Sequence, residues 1–134
     1  MDFVSLLKQS DLKVTPQRLT LLEQIYKYGH IDIDSLFENI KVTFPTISLA
    51  TLYKNINAMI EKGLLKEVKI VGMKNKYEIT KKEHAHAICN SCGKVEDVFL
   101  DTNALKENLE TNTQYYISQT DMNFFGECPE CKAS

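Results

Sequence analysis

Tryptophan is absent from these 134 residues, arginine occurs once, proline three times and glycine five times. So few breakers exclude a collagen-like or low-complexity chain. No apolar run approaches the ~20 residues of a membrane span, so no membrane helix is expected. The opening residues, Met1-Asp2-Phe3-Val4-Ser5, lack the basic flank and small-residue cleavage site of a secretory signal. We therefore expect a cytoplasmic protein whose thiols are kept reduced, which favours metal ligation over disulfides for the four cysteines. A strong charge of one sign is also lacking, since the formal net charge is −2.

That near-neutrality hides an asymmetry. Residues 1–81 hold 11 lysines and one arginine against nine acids, which gives +3. Residues 82–134 hold four lysines against nine acids, which gives −5. All four cysteines and two of the three histidines lie in the second part. A mildly basic part and an acidic, ligand-rich part imply two jobs. We place a boundary at a hinge of about residues 80–83, between domains 1–80 and 84–134.

Phe3, Leu6 and Leu7 predict a short helix near 2–10. Thr15 then reads as an N-cap with Pro16 in the first helical position, and the helix runs to about Tyr28 before Gly29 stops it. Asp32 or Asp34 can cap a third helix bearing Ile33, Leu36, Phe37 and Ile40. A fourth helix is expected over 48–62, from Ser48 to a stop at Gly63. There Leu49, Leu52, Ile56, Met59 and Ile60 form a buried stripe, opposite Ala50, Thr51, Tyr53, Lys54 and Asn57. The period then changes to two over 67–71 and 76–79 around a Gly72–Asn75 turn, which is a β-hairpin. Helices followed by a basic hairpin have the order of a winged helix-turn-helix, whose last helix enters the DNA major groove. Beyond the hinge we expect two short strands over 84–100, a helix over 102–111 and a strand over 115–125. The fold class is thus α+β, an N-terminal winged helix followed by a small α/β domain.

Two groups of residues carry chemistry. Cys89-x-x-Cys92 and Cys128-x-x-Cys131 can each place two thiolates on one side of a turn. Together they fill a tetrahedral structural Zn(2+) site and leave no open position. The second group starts from His84-Ala85-His86. On a strand, side chains two apart point the same way, so both imidazoles can reach one ion. Glu78 and Asp97 on neighbouring strands can add carboxylates, a donor set suited to iron, manganese or zinc. Spacing alone offers nothing for His30, nor does it exclude that the two histidines are ordinary surface residues.

The chain resembles the ferric uptake regulator family, through Leu12-Lys13-Val14-Thr15-Pro16-Gln17-Arg18, Phe44-Pro45-Thr46-Ile47-Ser48-Leu49-Ala50-Thr51-Leu52-Tyr53-Lys54, Glu83-His84-Ala85-His86-Ala87-Ile88-Cys89, Cys92-Gly93-Lys94 and the last cysteine pair. The resemblance implies a homodimeric repressor that binds palindromic, AT-rich double-stranded operator DNA. Its regulatory Fe(2+) or Mn(2+) would be held by His30, Glu78, His84, His86 and Asp97, and its zinc by the four cysteines. DNA contacts would fall on Lys13, Arg18, Ala50, Thr51, Tyr53 and Lys54. Asp97 and Thr-Pro-Gln-Arg resemble the peroxide-sensing branch, whose oxidised histidines match His30 and His84. Glu78 departs from that branch, so an iron-responsive repressor is the alternative.

Two rivals come from other classes. Zinc deaminases carry His-x-Glu followed by Pro-Cys-x-x-Cys, whereas this chain has His-Ala-His and places Pro129 inside the last cysteine pair. Neither half fits an enzyme. A constitutive DNA-binding module with zinc alone would lack a second, exchangeable metal.

Overall fold

A computed structural model of the chain describes all residues except 82, 83, 119 and 134. The chain divides into two compact units, Met1–Lys81 and Lys82–Ser134. Residues 82 and 83 of the expected hinge lie outside the described residues.

The first unit runs α1 (Phe3–Gln9), α2 (Pro16–Tyr28), β1 (Ile31–Asp32), α3 (Ile33–Thr43), α4 (Leu49–Glu61), β2 (Leu65–Val68) and β3 (Lys76–Ile79). Each helix starts at a side chain that accepts an otherwise unpaired backbone N–H. Asp2 accepts from Ser5, Thr15 from Arg18, Asp32 from Ser35 and Ser48 from Thr51. The third cap is Asp32 rather than Asp34. Gly29 and Gly63, with φ of 75° and 76°, take the left-handed turn that ends α2 and follows α4. Leu21, Leu22, Ile25, Leu36, Ile40, Leu52, Ile56 and Met59 are wholly buried and lock the helices together. Behind them lies an antiparallel sheet in the order β1-β3-β2. This is the winged helix.

Two local expectations are corrected, and one element was not foreseen. Leu49 is 42% exposed, so it leaves the buried stripe. It opens the first turn of α4, where no later turn shields it. The hairpin strand begins at Leu65 and stops at Val68, and Val71 is fully outside, because Gly72 at φ 80° turns the chain. Strand β1 had no sequence signal: two residues are too short for a period, and pairing with β3 alone makes them a strand.

The second unit runs β4 (Ala85–Cys89), β5 (Val95–Val98), α5 (Asn103–Thr113), β6 (Asn123–Gly126) and α6 (Pro129–Ala133). Its sheet has the order β5-β4-β6, with β4 antiparallel to β5 and parallel to β6. Of the strand expected over 115–125, residue 119 lies outside the described residues, and among the described ones the strand is Asn123–Gly126. Aromatic side chains favour strands when a neighbour covers them, and Tyr115 and Tyr116 are 72% and 86% exposed in the isolated chain. Helix α5 buries no residue, so Leu105 and Leu109 face outward. No helix among the described residues is long and apolar enough to cross a membrane.

Candidate metal centres and DNA-reading surface

The four cysteines meet because of sheet register. Cys89 ends β4 opposite Gly126 of the parallel β6, so Cys128, two residues further on, arrives beside it. Gly93, at φ 79°, donates to the Cys89 carbonyl and closes the turn that brings Cys92 back. Pro129 starts α6 and lets Cys131 complete the set. The four sulfur atoms lie within 4.8 Å of one another, and Cys92 Sγ stands 3.7 Å from Cys128 Sγ. A tetrahedron with Zn–S bonds of roughly 2.3 Å has edges of about 3.8 Å, so the spacing fits zinc.

The local electrostatics point the same way. Backbone N–H groups of Cys128 and Cys92 donate to Cys89 Sγ and lower its thiol to about 6. Cys131 moves to about 12, because shared protons with the sulfurs of Cys128, Cys89 and Cys92 favour its protonated form. Four thiols this close cannot all ionise unless a cation balances them. A full thiolate set is thus stable only around a cation such as zinc, which displaces the protons as it binds.

The histidines and carboxylates form two further pairings, one in each unit. In the first unit, the ladder Ile31↔Tyr77, carried one residue on, sets His30 opposite Glu78. His30 Nε2 lies 2.7 Å from Glu78 Oε2, and the Glu78 side chain is wholly buried. In the second, His86 pairs across the ladder with Asp97, and His84 lies two residues earlier on the same face. Their ring nitrogens stand 3.0 Å apart, and Asp97 Oδ1 is 3.1 Å from His84 Nε2 and 3.6 Å from His86 Nε2. Around an ion with bonds of roughly 2.1 Å, neighbouring ligand atoms sit about 3.0 Å (octahedral) to 3.4 Å (tetrahedral) apart. The His84–His86 and His84–Asp97 separations fall in that range, whereas the 2.7 Å His30–Glu78 contact is a direct hydrogen-bond distance that would lengthen to admit an ion. Phe99, itself half exposed, packs on His84 at 5.4 Å between ring centroids.

Ala50, Tyr53, Lys54 and Asn57 are exposed on α4, while Thr51 is half-buried and accepts a hydrogen bond from the Ser48 hydroxyl at 2.9 Å. Behind Tyr53 stands buried Tyr77, whose phenol is pushed up to about 12 by burial and by the Glu67 carboxylate it bonds. Lys74, in the hairpin turn, pairs with Asp34 at the start of α3. Lys13 is exposed in the loop before α2. Arg18 is half-buried: its Nε donates to Asn55 Oδ1 at 3.2 Å and its guanidinium to the Lys13 carbonyl at 2.9 Å. Asn55 went unnoticed in the sequence. It is a polar residue at the margin of the stripe of Leu52, Ile56 and Met59, and nothing local marks its partner 37 residues away.

Comparison with known proteins bears on the whole chain. The model of the "Ferric uptake regulator family" matches residues 9–125. A "Peroxide operon regulator" of Bacillus subtilis is 31% identical over 127 residues, covering 93% of this chain and 88% of the relative. The "Peroxide-responsive repressor PerR" of Staphylococcus aureus is 28% identical over 131 residues, covering 96% and 88%. Among solved structures, a Campylobacter jejuni peroxide stress regulator superposes with a TM-score of 0.75 at 35% identity, covering 98% of this chain and 100% of that one. The Vibrio cholerae ferric uptake regulator superposes with a TM-score of 0.76 at 26% identity, covering 95% and 100%.

Proposed function

The chain belongs to the ferric uptake regulator family, and on that footing we propose that it is a cytoplasmic, metal-dependent repressor that senses peroxide. It binds palindromic, AT-rich operator DNA as a homodimer. The first unit is the DNA-binding domain and the second the metal-binding dimerisation domain. One observation carries the reading: buried His84 and His86 turn their ring nitrogens onto Asp97 at ion-ligand spacing, beside a separate four-thiol set. One metal is structural and the other regulatory, which separates this protein from a module with zinc alone. The peroxide branch is supported by the relatives from B. subtilis, S. aureus and C. jejuni.

In this reading the cysteines hold zinc and keep the second unit folded. His30 and Glu78 of the first unit, with His84, His86 and Asp97 of the second, hold Fe(II) or Mn(II). Metal bound by these residues would order the DNA-binding form. Bound Fe(II) supplies one-electron reduction of peroxide beside the ligand imidazoles, chemistry that Mn(II), a poor reductant, does not supply. An oxygenated His30 or His84 is a weaker ligand. Losing that ligand would weaken the site and release DNA. On the DNA side, Tyr53 and Ala50 contact thymine methyl groups in the major groove, Thr51 and Lys54 contact base edges and phosphate, and Lys13 reaches phosphate or a narrow minor groove.

Mass spectrometry of the Fe(II)-loaded protein after a brief, low dose of peroxide tests this. A gain of one oxygen on the peptides carrying His30 or His84, with loss of operator binding and neither change with Mn(II), is the expected result. Unmodified histidines with DNA still bound would leave an iron-responsive repressor, the reading that Glu78 favours.

A further inference from the structure

We propose that Arg18 is a positioning residue, a strut that with Asn55 fixes the Lys13 loop against the reading helix α4, and not itself a DNA contact. The proposal rests on the DNA-binding reading above and deepens it. The chain supplies positive charge through lysine at fifteen places and through arginine at one. An ammonium is a compact point donor, whereas a guanidinium is a rigid planar fork that can hold two partners at fixed positions. At Arg18 two of the five N–H donors are used in this way, on partners in two different segments. Nε donates to Asn55 Oδ1 at 3.2 Å, and NH1 donates to the backbone carbonyl of Lys13 at 2.9 Å.

The frame around the fork is closed. The backbone N–H of Arg18 donates to the Thr15 hydroxyl at 3.2 Å, which pins the residue to the start of α2. Asn55 Nδ2 lies 3.5 Å from Gln17 Oε1, so both ends of its amide face α2. Asn55 follows Lys54 directly and lies one turn beyond Thr51, while Lys13 is the residue whose carbonyl is held. The side chains assigned to two different features of the DNA therefore hang from one three-point brace. Its neutral members cannot neutralise phosphate. Loss of the brace leaves every DNA-contacting side chain in place but lets the loop and the helix drift relative to each other. Specific binding, which needs both in register, falls more than non-specific binding, which needs only charge.

The test uses the Mn(II)-loaded full chain and four variants: Arg18→Lys, Arg18→Gln, Asn55→Ala and the double variant Arg18→Gln/Asn55→Ala. Binding is measured to a duplex that the wild-type protein selects from a random-sequence library, against a scrambled duplex, over a salt series. Amide hydrogen exchange over residues 11–15 is measured without DNA. Each single variant should lower the ratio of specific to non-specific affinity on the order of tenfold, Arg18→Lys included. The salt slope on the scrambled duplex should stay unchanged, exchange over 11–15 should quicken, and the double variant should lose no more than the worse single. Wild-type behaviour of Arg18→Lys and Asn55→Ala, with a slope reduced by about 0.9 in Arg18→Gln, would make Arg18 a phosphate contact and overturn the proposal. Additive losses in the double variant would overturn it too. If the wild-type protein selects no sequence, the DNA-binding reading fails by itself. The exchange measurement then still judges the strut: unchanged rates in Arg18→Gln and Asn55→Ala remove it, and quickened rates keep it.

Discussion

The two units are stabilised by different means. The first buries a continuous apolar cluster, from Leu7 through Leu21, Ile25, Leu36 and Ile40 to Ile56 and Met59, with its helix ends capped. Among the described residues of the second, Ala85, Ile88 and Cys89 are the buried apolar ones, beside His84, His86 and Thr102. Helix α5 buries nothing, and Leu105, Leu109, Tyr115, Tyr116, Phe124 and Phe125 lie exposed. A chain segment of about 50 residues with so small a core is below the size that apolar burial alone makes stable. What the first unit obtains from side-chain packing, the second must obtain from a metal and from a partner that covers its apolar surface.

The sharpest way to break that contrast is Cys128→Ser. It opens the closed thiolate site, and structural zinc contributes roughly 10–16 kcal/mol of folding free energy in small zinc domains near neutral pH. We expect the second unit to lose zinc and unfold while the first keeps its own cooperative melt. Calorimetry with zinc analysis checks this. A zinc-free variant with both transitions at their original temperatures would show that the second unit needs no metal.

The converse substitution is Ile56→Ala, at a wholly buried position of α4. Deleting that side chain should cost about 2–5 kcal/mol, all of it in the first unit. Zinc content should remain one per chain. If the second unit melts along with the first, the two are one cooperative body and the contrast fails.

These contrasts explain what could be read in the sequence. Helix starts were legible because Thr15, Ser48 and Asp32 act on N–H groups three residues away, and the stops at Gly29 and Gly63 are equally local. The cysteine site was legible because two pairs leave few ways to satisfy four thiols. Partners brought together only by the fold were not legible. Strand β1 exists through β3, and Arg18 meets Asn55 across 37 residues. The same holds for Tyr115 and Tyr116, whose residue types suit a strand but whose side chains stay exposed in the isolated chain.

An intermediate effect is expected at that apolar surface. If the exposed face of α5 helps join two copies, Leu105→Asp should weaken self-association by roughly tenfold or more, since it places a charge where apolar area is buried. Sedimentation at several concentrations reads this directly. Zinc content and the melt of the first unit should not move. Unchanged association would place the partner surface elsewhere on the second unit.

The smallest effect concerns the end of the reading helix, where stability and recognition can be separated. Ser48 Oγ accepts the Thr51 N–H at 3.1 Å, and its hydroxyl donates to Thr51 Oγ1 at 2.9 Å. Ser48→Ala removes both and should cost about 1 kcal/mol, a shift of roughly 4–8 °C in the melt of a unit this size. The first turn, which carries Leu49, Ala50 and Thr51, frays, so operator binding weakens with stability. Ser48→Asp behaves differently. Aspartate caps as well as serine, and its charge favours the positive end of the helix, so stability should hold. Yet the same charge faces the phosphates if the N-terminal end of α4 enters the major groove, and affinity should fall on every sequence, most at low salt. A stable Ser48→Asp protein with undiminished DNA binding would mean that this end of α4 does not face DNA, whatever its resemblance to a reading helix.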